Sequence, residues 1–334
     1  MAAVLNIGVI GLGVMGQRML ARLQQHPRLR AAWVWDARSE ALAETLARYP
    51  QLRAAASAEA LIASPGLASL YIATPPAAHL PLSELAFDAG LAVFCEKPLT
   101  VDFAAAQATI ARIERERLRA AVNFSLASAP GLAALQLAFG AASKLPLGAL
   151  RAVEIELGFA AWPRPWQAAA GGWLAERAEG GFTREVLSHF IFVLQRVLGQ
   201  ARLRHSEVDY PGDGRSAETG LRAELSAMGL PVHIRGHVGA DVGVPDRNRM
   251  SWHASEGEIE LREWFGLAQQ RRGGVWQALG EPEHARSQAQ AEQLEQWVAL
   301  IEGRSHSLPG YAEALAVQKT IEAMLAGRTP SNKE

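Results

Sequence analysis

The feature that most restricts the fold is Gly11-Leu12-Gly13-Val14-Met15-Gly16. It stands between a short apolar run, Val4 to Ile10, and a helical pattern through Met19, Leu20 and Leu23 that stops at Pro27. Three glycines at this spacing, between a strand and a helix, serve a tight turn, a close ligand approach and close helix–strand packing. Gly11 is the turn, Gly13 the approach point for a pyrophosphate, and Gly16 the packing contact. Val14 and Met15 complete the loop at the helix start, whose free N–H groups and positive dipole end attract phosphate. The next strand, Ala31 to Trp35, ends in Asp36, 20 residues after Gly16. A carboxylate there accepts hydrogen bonds from ribose hydroxyls and repels a 2′-phosphate. It could instead start the next helix as a turn residue, a role Ser39 could also fill. Arg38 could stack on adenine or bind a 2′-phosphate. The expected cofactor is therefore NAD, with NADP left open.

Alternation of strand and helix continues to Asn123. Helical patterns cover Ser39 to Arg48 and Ser57 to Ala63, and strand-like runs cover Leu52 to Ala55 and Ala68 to Ala73. Thr74-Pro75-Pro76-Ala77-Ala78-His79 follows, with Pro76 suited to the first turn of a helix that stops at Gly90. The apolar run at Val93 breaks off in Glu96-Lys97-Pro98, because proline cannot donate to a sheet ladder. Next come a helix expected to be capped by Thr100 and to run to about Arg117, and a strand from Arg119 to Asn123. Strands joined by helices imply a parallel, doubly wound Rossmann sheet. Lys97 then lies at the carboxyl end of a strand, where such sheets bind ligands. It is either a surface charge or a group placed for acid–base chemistry. Glu96 should point the opposite way in a pleated strand.

The pattern changes after Asn123. Residues Arg151 to Phe159 alternate, with Val153, Ile155, Leu157 and Phe159 on one face, as in a half-buried strand. Further strand-like runs lie near Leu203–Tyr210, Leu221–Ala227, Val232–Val238, Met250–Ser255 and Glu258–Leu261. Helices are expected at about Arg286–Ile301 and Tyr311–Ala326. The expectation is an α/β Rossmann domain, residues 1–123, followed by an α+β domain with an open, mostly antiparallel sheet, residues 124–334. The last helix is expected to pack back near the first domain.

A chain of 334 residues is long for one core. Its 33 basic and 34 acidic side chains leave no excess to neutralise phosphates, so nucleic acid is not expected as a partner. A single cysteine, Cys95, suits a reducing compartment. No basic region precedes the first apolar run, and no run approaches the roughly 20 apolar residues of a membrane span. A cytoplasmic protein is expected.

Three marks together resemble a known family. These are the glycine loop, Ala73-Thr74-Pro75-Pro76 with His79, and Glu96-Lys97-Pro98-Leu99. They look like the glucose–fructose oxidoreductase, inositol dehydrogenase and rhizopine-catabolism (Gfo/Idh/MocA) oxidoreductases, densely over residues 4–123 and thinly beyond. The resemblance implies hydride transfer between NAD(P) and a secondary alcohol or ketone of a sugar, cyclitol or related polyol. It also implies a cis Lys97–Pro98 peptide, and Thr74, Pro75 and His79 near the cofactor, while Glu96, pointing away from Lys97, is expected to be a cofactor-side or structural partner. His79 could equally be a packed residue at a helix start. The second-domain sheet is expected to form a homodimer or homotetramer.

In Gly180-Gly181-Phe182-Thr183-Arg184-Glu185-Val186-Leu187-Ser188-His189, Glu185 and His189 stand at the family's aspartate and histidine positions. Glutamate replaces aspartate, and Leu187 stands where glycine is usual. The resemblance implies catalytic roles for Lys97, His189 and Glu185, with either Lys97 or His189 as proton donor. Glu185 and His189 at i and i+4 could also bind zinc, but no complete ligand set is visible and no metal is expected. Trp162, Arg164, Trp166 and Trp173 precede this motif and could stack on or hold a polyol, or simply pack. Asn123-Phe124-Ser125 lacks the arginine or tyrosine common there in the family, although Asn123 could still meet substrate. Two other readings stay open: reduction of a non-sugar carbonyl or imine, and a dinucleotide-binding sensor or scaffold without turnover.

Overall fold

A computed structural model describes residues 3–141, 146–170, 172–243 and 245–327. The chain divides into two compact units. The first comprises Met1–Phe124 with Ala291–Leu315, and the second Ser125–Gln290 with Ala316–Glu334.

The first unit alternates β1 (Leu5–Ile10), α1 (Val14–Leu23), β2 (Leu29–Trp35), α2 (Ser39–Arg48), β3 (Arg53–Ala54), α3 (Ala58–Ile62), β4 (Leu67–Ile72), α4 (His79–Asp88), β5 (Ala92–Glu96), α5 (Phe103–Glu116) and β6 (Ala120–Asn123). The strands form one parallel sheet in the order β3-β2-β1-β4-β5-β6. That is the doubly wound order, whose direction reverses at β1/β4 and leaves a crevice at the strands' carboxyl ends. Central strands covered on both faces must be apolar throughout, and every residue of β5 is buried. Arg117 ends α5 in a left-handed conformation, and Asp102 starts it, accepting from the N–H groups of Ala104 and Ala105. Thr100, expected to be the cap, instead accepts from the Asp102 N–H. The carboxylate two residues closer to the helix wins because it reaches two free donors.

The second unit holds α6 (Pro130–Phe139), β7 (Leu150–Phe159), α7 (Ser188–Leu198), β8 (Ala201–Asp209), β9 (Gly220–Ala227), β10 (Leu230–Val238), β11 (Arg247–Ala254), β12 (Gly257–Arg262), β13 (Gly266–Arg271) and β14 (Gln277–Ala278). They pair as one sheet in the order β14-β13-β12-β11-β7-β10-β9-β8, antiparallel except between β7 and β10. Val153, Ile155, Leu157 and Phe159 of β7 are buried while Arg151 and Glu154 are exposed. The charged face carries cross-strand pairs such as Arg249–Glu156 and His253–Glu258. The sequence reading missed α6, β13 and β14. The apolar α6 has proline at its start but no polar face, and β13 and β14 carry no clean alternation.

Two helices end the chain, α8 (Pro282–Ile301) and α9 (Tyr311–Leu325). Within the first unit, Trp297 of α8 is wholly buried against Phe94 and Tyr71, with ring centroids 5.1 and 5.9 Å away. Its indole N–H donates to Ser69 Oγ at 3.0 Å, so the polar end of the ring is satisfied inside the core.

Candidate functional site

The glycine loop has a distinct reason for each glycine. Gly11 has φ +92°, and a Cβ there would lie 2.4 Å from the Ala73 carbonyl oxygen. A Cβ on Gly16 would lie 2.0 Å from the Gly11 oxygen. These two are fixed by the protein itself. At Gly13 a Cβ would meet nothing closer than Arg38 at 3.9 Å, so the glycine there keeps open space in front of the loop. Gly13 also begins α1 without a side-chain cap, as a helix start that binds an anion requires. Val14 and Met15 open the helix, half-buried.

Asp36 closes this turn. Its Oδ2 accepts from the Leu12 N–H at 2.7 Å and its Oδ1 from the Arg38 N–H at 2.8 Å. The exposed Arg38 guanidinium folds back on the same carboxylate at 3.3 Å. Beside them at the end of β4, Thr74 Oγ1 is buried without a hydrogen-bond partner. An orphaned hydroxyl, an open glycine and an uncapped helix start on one sheet edge fit a dinucleotide.

Lys97 follows the last residue of β5, half-buried, and the Lys97–Pro98 peptide is cis. His79 is fully buried at the start of α4. Its Nδ1 lies 2.9 Å from the Pro98 oxygen and its Nε2 2.8 Å from the Thr74 oxygen. The imidazole therefore ties the Thr74-Pro75 turn to the peptide after Lys97. Pro75 is exposed, whereas the ring of His79 is turned into the fold. Burial pushes its pKa down, and the facing carbonyls oppose that shift.

Glu96 was expected as a cofactor-side or structural partner, and Asn123 as a residue that could meet substrate; the side chains of both enter a buried polar chain in the first unit. Arg22 donates to Gln293 Oε1 at 3.3 Å, and Gln293 Nε2 donates to Asn123 Oδ1 at 2.8 Å. Asn123 Nδ2 donates to Glu96 Oε1 at 2.7 Å and to the Tyr71 hydroxyl at 3.1 Å. Tyr71 in turn donates to Glu96. The amide orientations follow from the cation at one end and the carboxylate at the other. This is an ion pair relayed through two amides. It fixes the ends of β4, β5 and β6 at the point where Lys97 emerges. Burial lowers the Arg22 pKa, while Tyr71 and Glu96 oppose the shift. The sequence offers no local signal for Gln293 or Arg22, because they are brought in by helices far apart in the chain.

In the second unit, Glu185 and His189 do not share a regular helical turn. Residues Thr183–Leu187 form a π-helical turn leading into α7, with the Ser188 N–H bonded to the Thr183 oxygen. The wider turn rotates Glu185 relative to the expected i,i+4 face. His189 is buried and Glu185 half-buried. The turn starts on Glu218, which the sequence reading missed. Its Oε1 accepts from the Thr183 N–H at 2.8 Å, and it is 1% exposed. Gly181, at φ +98°, makes room for it, since a Cβ there would lie 2.2 Å from Glu218 Oε2. Burial raises the Glu218 pKa.

The aromatic cluster ahead of this turn is mostly packed. Trp162 donates its indole N–H to the Leu174 oxygen at 2.9 Å and lies against Phe159 and Phe182. Arg164 is buried under three rings, closest to Trp166 at 4.7 Å, and bonds Gln167 at 2.9 Å and pairs with Asp246 at 3.6 Å. Trp166 is 47% exposed and Trp173 half-buried. A further aromatic, Trp264, meets His189 in a T-shaped contact with ring centroids 5.1 Å apart.

Comparison with known proteins places these features. Residues 5–124 match the Gfo/Idh/MocA oxidoreductase family, NAD-binding Rossmann fold. A UDP-N-acetylglucosamine 3-dehydrogenase of Acidithiobacillus ferrooxidans is 33% identical over 138 residues, 41% of this chain and 42% of that protein. An inositol 2-dehydrogenase of Streptomyces avermitilis is 34% identical over 107 residues, 32% of this chain and 31% of that protein. The matches thus span less than half of those curated relatives. An oxidoreductase from Agrobacterium radiobacter, solved in complex with NAD+, L-tartaric acid and magnesium, shares the fold at 16% identity. Its TM-score is 0.79, over 96% of each chain. No helix among the described residues is long and apolar enough to cross a membrane.

Proposed function

We propose that the chain, whose residues 5–124 match the NAD-binding Rossmann fold of the Gfo/Idh/MocA oxidoreductases, is an NAD(P)-dependent dehydrogenase or reductase of a sugar, cyclitol or related polyol. The observation that carries this reading is Lys97, half-buried at the carboxyl end of a central parallel strand in the unit that holds the open glycine loop. Bound nicotinamide would supply the hydride acceptor or donor. Gly11, Gly13 and Gly16 with the start of α1 would hold the pyrophosphate, and Asp36 the adenosine ribose. Thr74 would offer its hydroxyl to the cofactor.

In this reading Lys97 hydrogen-bonds the reacting oxygen and stabilises developing alkoxide charge. The proton is exchanged by Lys97 or by His189. Glu185 orients this chemistry, and Trp166 and Trp173 contribute apolar surface to substrate. His79, Glu96 and Asn123 act one step back, holding the backbone on either side of Lys97. The names of the two curated relatives support a hydroxyl-bearing ring as substrate class. The charged face of the second-unit sheet is the surface we assign to a homodimer or homotetramer, and the cytoplasm is the assigned compartment.

The test uses Lys97→Ala and His189→Ala in protein that still binds NADH. Loss of a positioned acid–base group lowers turnover roughly 10²- to 10⁴-fold. Unchanged turnover in Lys97→Ala would sink the assignment. NADH binding without turnover of any polyol, sugar, keto acid or imine would favour a sensor. Turnover of imines or keto acids alone would move the substrate to a non-sugar carbonyl or imine.

A further inference from the structure

The hairpin between β12 and β13 contains an unusual choice of residues. Glu263 has φ 45° and Trp264 has φ 75°, two successive residues in the left-handed region. Such turns normally take glycine, asparagine or aspartate, because a Cβ crowds the backbone there. A bulky aromatic in this conformation is a rare outlier. It persists only where surrounding structure over-determines it, and such positions concentrate at ligand sites.

The surroundings do over-determine it. The Glu263 N–H donates to the Asn248 oxygen at 2.8 Å, and the Asn248 N–H donates to Glu263 Oε1 at 3.1 Å. The Phe265 N–H closes the turn on the Glu263 oxygen at 3.0 Å. This clamp aims the Trp264 indole at one place. Its ring crosses His189 at 74° with centroids 5.1 Å apart, and it tilts on Phe190 at 5.7 Å. His189 and Phe190 are buried, whereas Trp264 is only half-buried, so the residue that contacts the histidine keeps some of its surface uncovered.

A turn serving only as a connection would relax to glycine. A tryptophan needed only for packing could sit on a strand at no conformational cost. We propose that Trp264 is a substrate platform. It presents apolar ring surface next to His189 and selects a cyclic polyol whose equatorial hydroxyls leave C–H faces to stack on indole. The strained turn holds that surface in place before ligand arrives. This proposal rests on the reading of His189 as a group of the reaction site, but it concerns binding alone and can be tested without turnover.

The experiment compares the wild-type protein with Trp264→Asn, which tolerates the left-handed backbone, and Trp264→Phe, which keeps an aromatic face. The probes are methyl β-D-glucopyranoside and scyllo-inositol as cyclic polyols and sorbitol as an acyclic one. Each is titrated with NADH present and followed by saturation-transfer NMR. The wild type should bind the rings more tightly than sorbitol, with saturation strongest at axial ring protons. Trp264→Asn should weaken the rings about tenfold and leave sorbitol unchanged, without a fall in melting temperature, while Trp264→Phe recovers most of the ring affinity. Wild type without ring preference overturns the proposal. So does Trp264→Asn with unchanged ring affinity, or with ring affinity, sorbitol affinity and melting temperature falling together, since that is a packing role. Ring preference that depends on Trp264 in a protein with no turnover upholds the platform and removes the dehydrogenase reading.

Discussion

Replacing Asn123 with alanine tests the polar chain under Lys97. Asn123 is 3% exposed and holds three partners. Its amide N–H groups serve Glu96 and the Tyr71 hydroxyl, and its oxygen takes the Gln293 N–H. The hydrogen bond to the Glu96 carboxylate is charge-assisted and is worth about 1.5–3 kcal/mol. Its loss leaves the carboxylate with less compensation at a site where water does not replace the amide. Gln293 Nε2 keeps only a longer bond, 3.4 Å to the Phe124 oxygen, and adds a further loss of about 1 kcal/mol. The expected total is about 3 kcal/mol. A unit of about 150 residues loses 2–4 °C of melting temperature per kcal/mol, so the fall should be about 6–12 °C. Calorimetry and urea unfolding measure it.

A second variant separates this network from simple cavity formation. Asn123→Asp keeps the volume and places a carboxyl against Glu96. Like charges raise the folded-state pKa of the new group above its unfolded value of about 3.9. The folded state then holds a proton that the unfolded state has released, and stability falls as pH rises through that window. Relative to wild type, the deficit of Asn123→Asp should be larger at pH 8 than at pH 5. The reasoning is refuted if Asn123→Ala costs under about 1 kcal/mol, or if the Asn123→Asp deficit does not change with pH.

Three further residues, His79, Glu218 and Asp36, give testable outcomes. His79→Phe should cost about 1–3 kcal/mol, because the single N–H of the neutral ring serves one of the facing Thr74 and Pro98 carbonyls and the variant leaves it without a donor, read as a urea midpoint. Because the folded pKa of His79 lies below its unfolded value of 6.5, the unfolded chain gains the proton first. Wild-type stability should fall as pH drops below about 6.5, and less steeply in His79→Phe. Glu218→Ala should remove the Thr183 cap, at about 1–2 kcal/mol, and speed amide exchange at Thr183. The raised pKa of Glu218 makes its ionised form a cost in the folded state, so Glu218→Gln should gain on wild type as pH rises above about 4.5. Asp36→Asn frees Arg38 and removes the charge facing a 2′-phosphate. The NADH-to-NADPH ratio of dissociation constants should shift at least about tenfold toward NADPH, and an unchanged ratio would detach Asp36 from cofactor choice.

What the sequence revealed and what it hid divide along one physical line. The glycine loop is legible because its spacing is local: Gly16 is fixed by the Gly11 oxygen five residues before it, although what fixes Gly11 is the Ala73 carbonyl after β4, which the sequence does not show. The all-apolar β5 and its stop at Pro98 are legible for the same reason, since burial on both faces and a missing N–H act within a few residues. The π turn that carries Glu185 into α7 was hidden, because periodicity assumes a regular helix and the local residues give no sign of a wider turn. What produces that turn lies elsewhere. Glu218 reaches in from the segment before β9 and takes the first N–H, and Gly181 leaves the space for its carboxylate. The partners of Glu96 and Asn123 were hidden for a related reason. A residue at a strand end faces either the ligand crevice or the core beneath it, and the choice depends on whether a partner waits underneath. Here Gln293, 170 positions after Asn123, supplies it. A polar side chain at a sheet edge is thus assigned by its distant partner, not by its neighbours. The part of such a site that binds phosphate can be read from sequence, whereas the part that places the reacting groups depends on contacts only the folded chain makes.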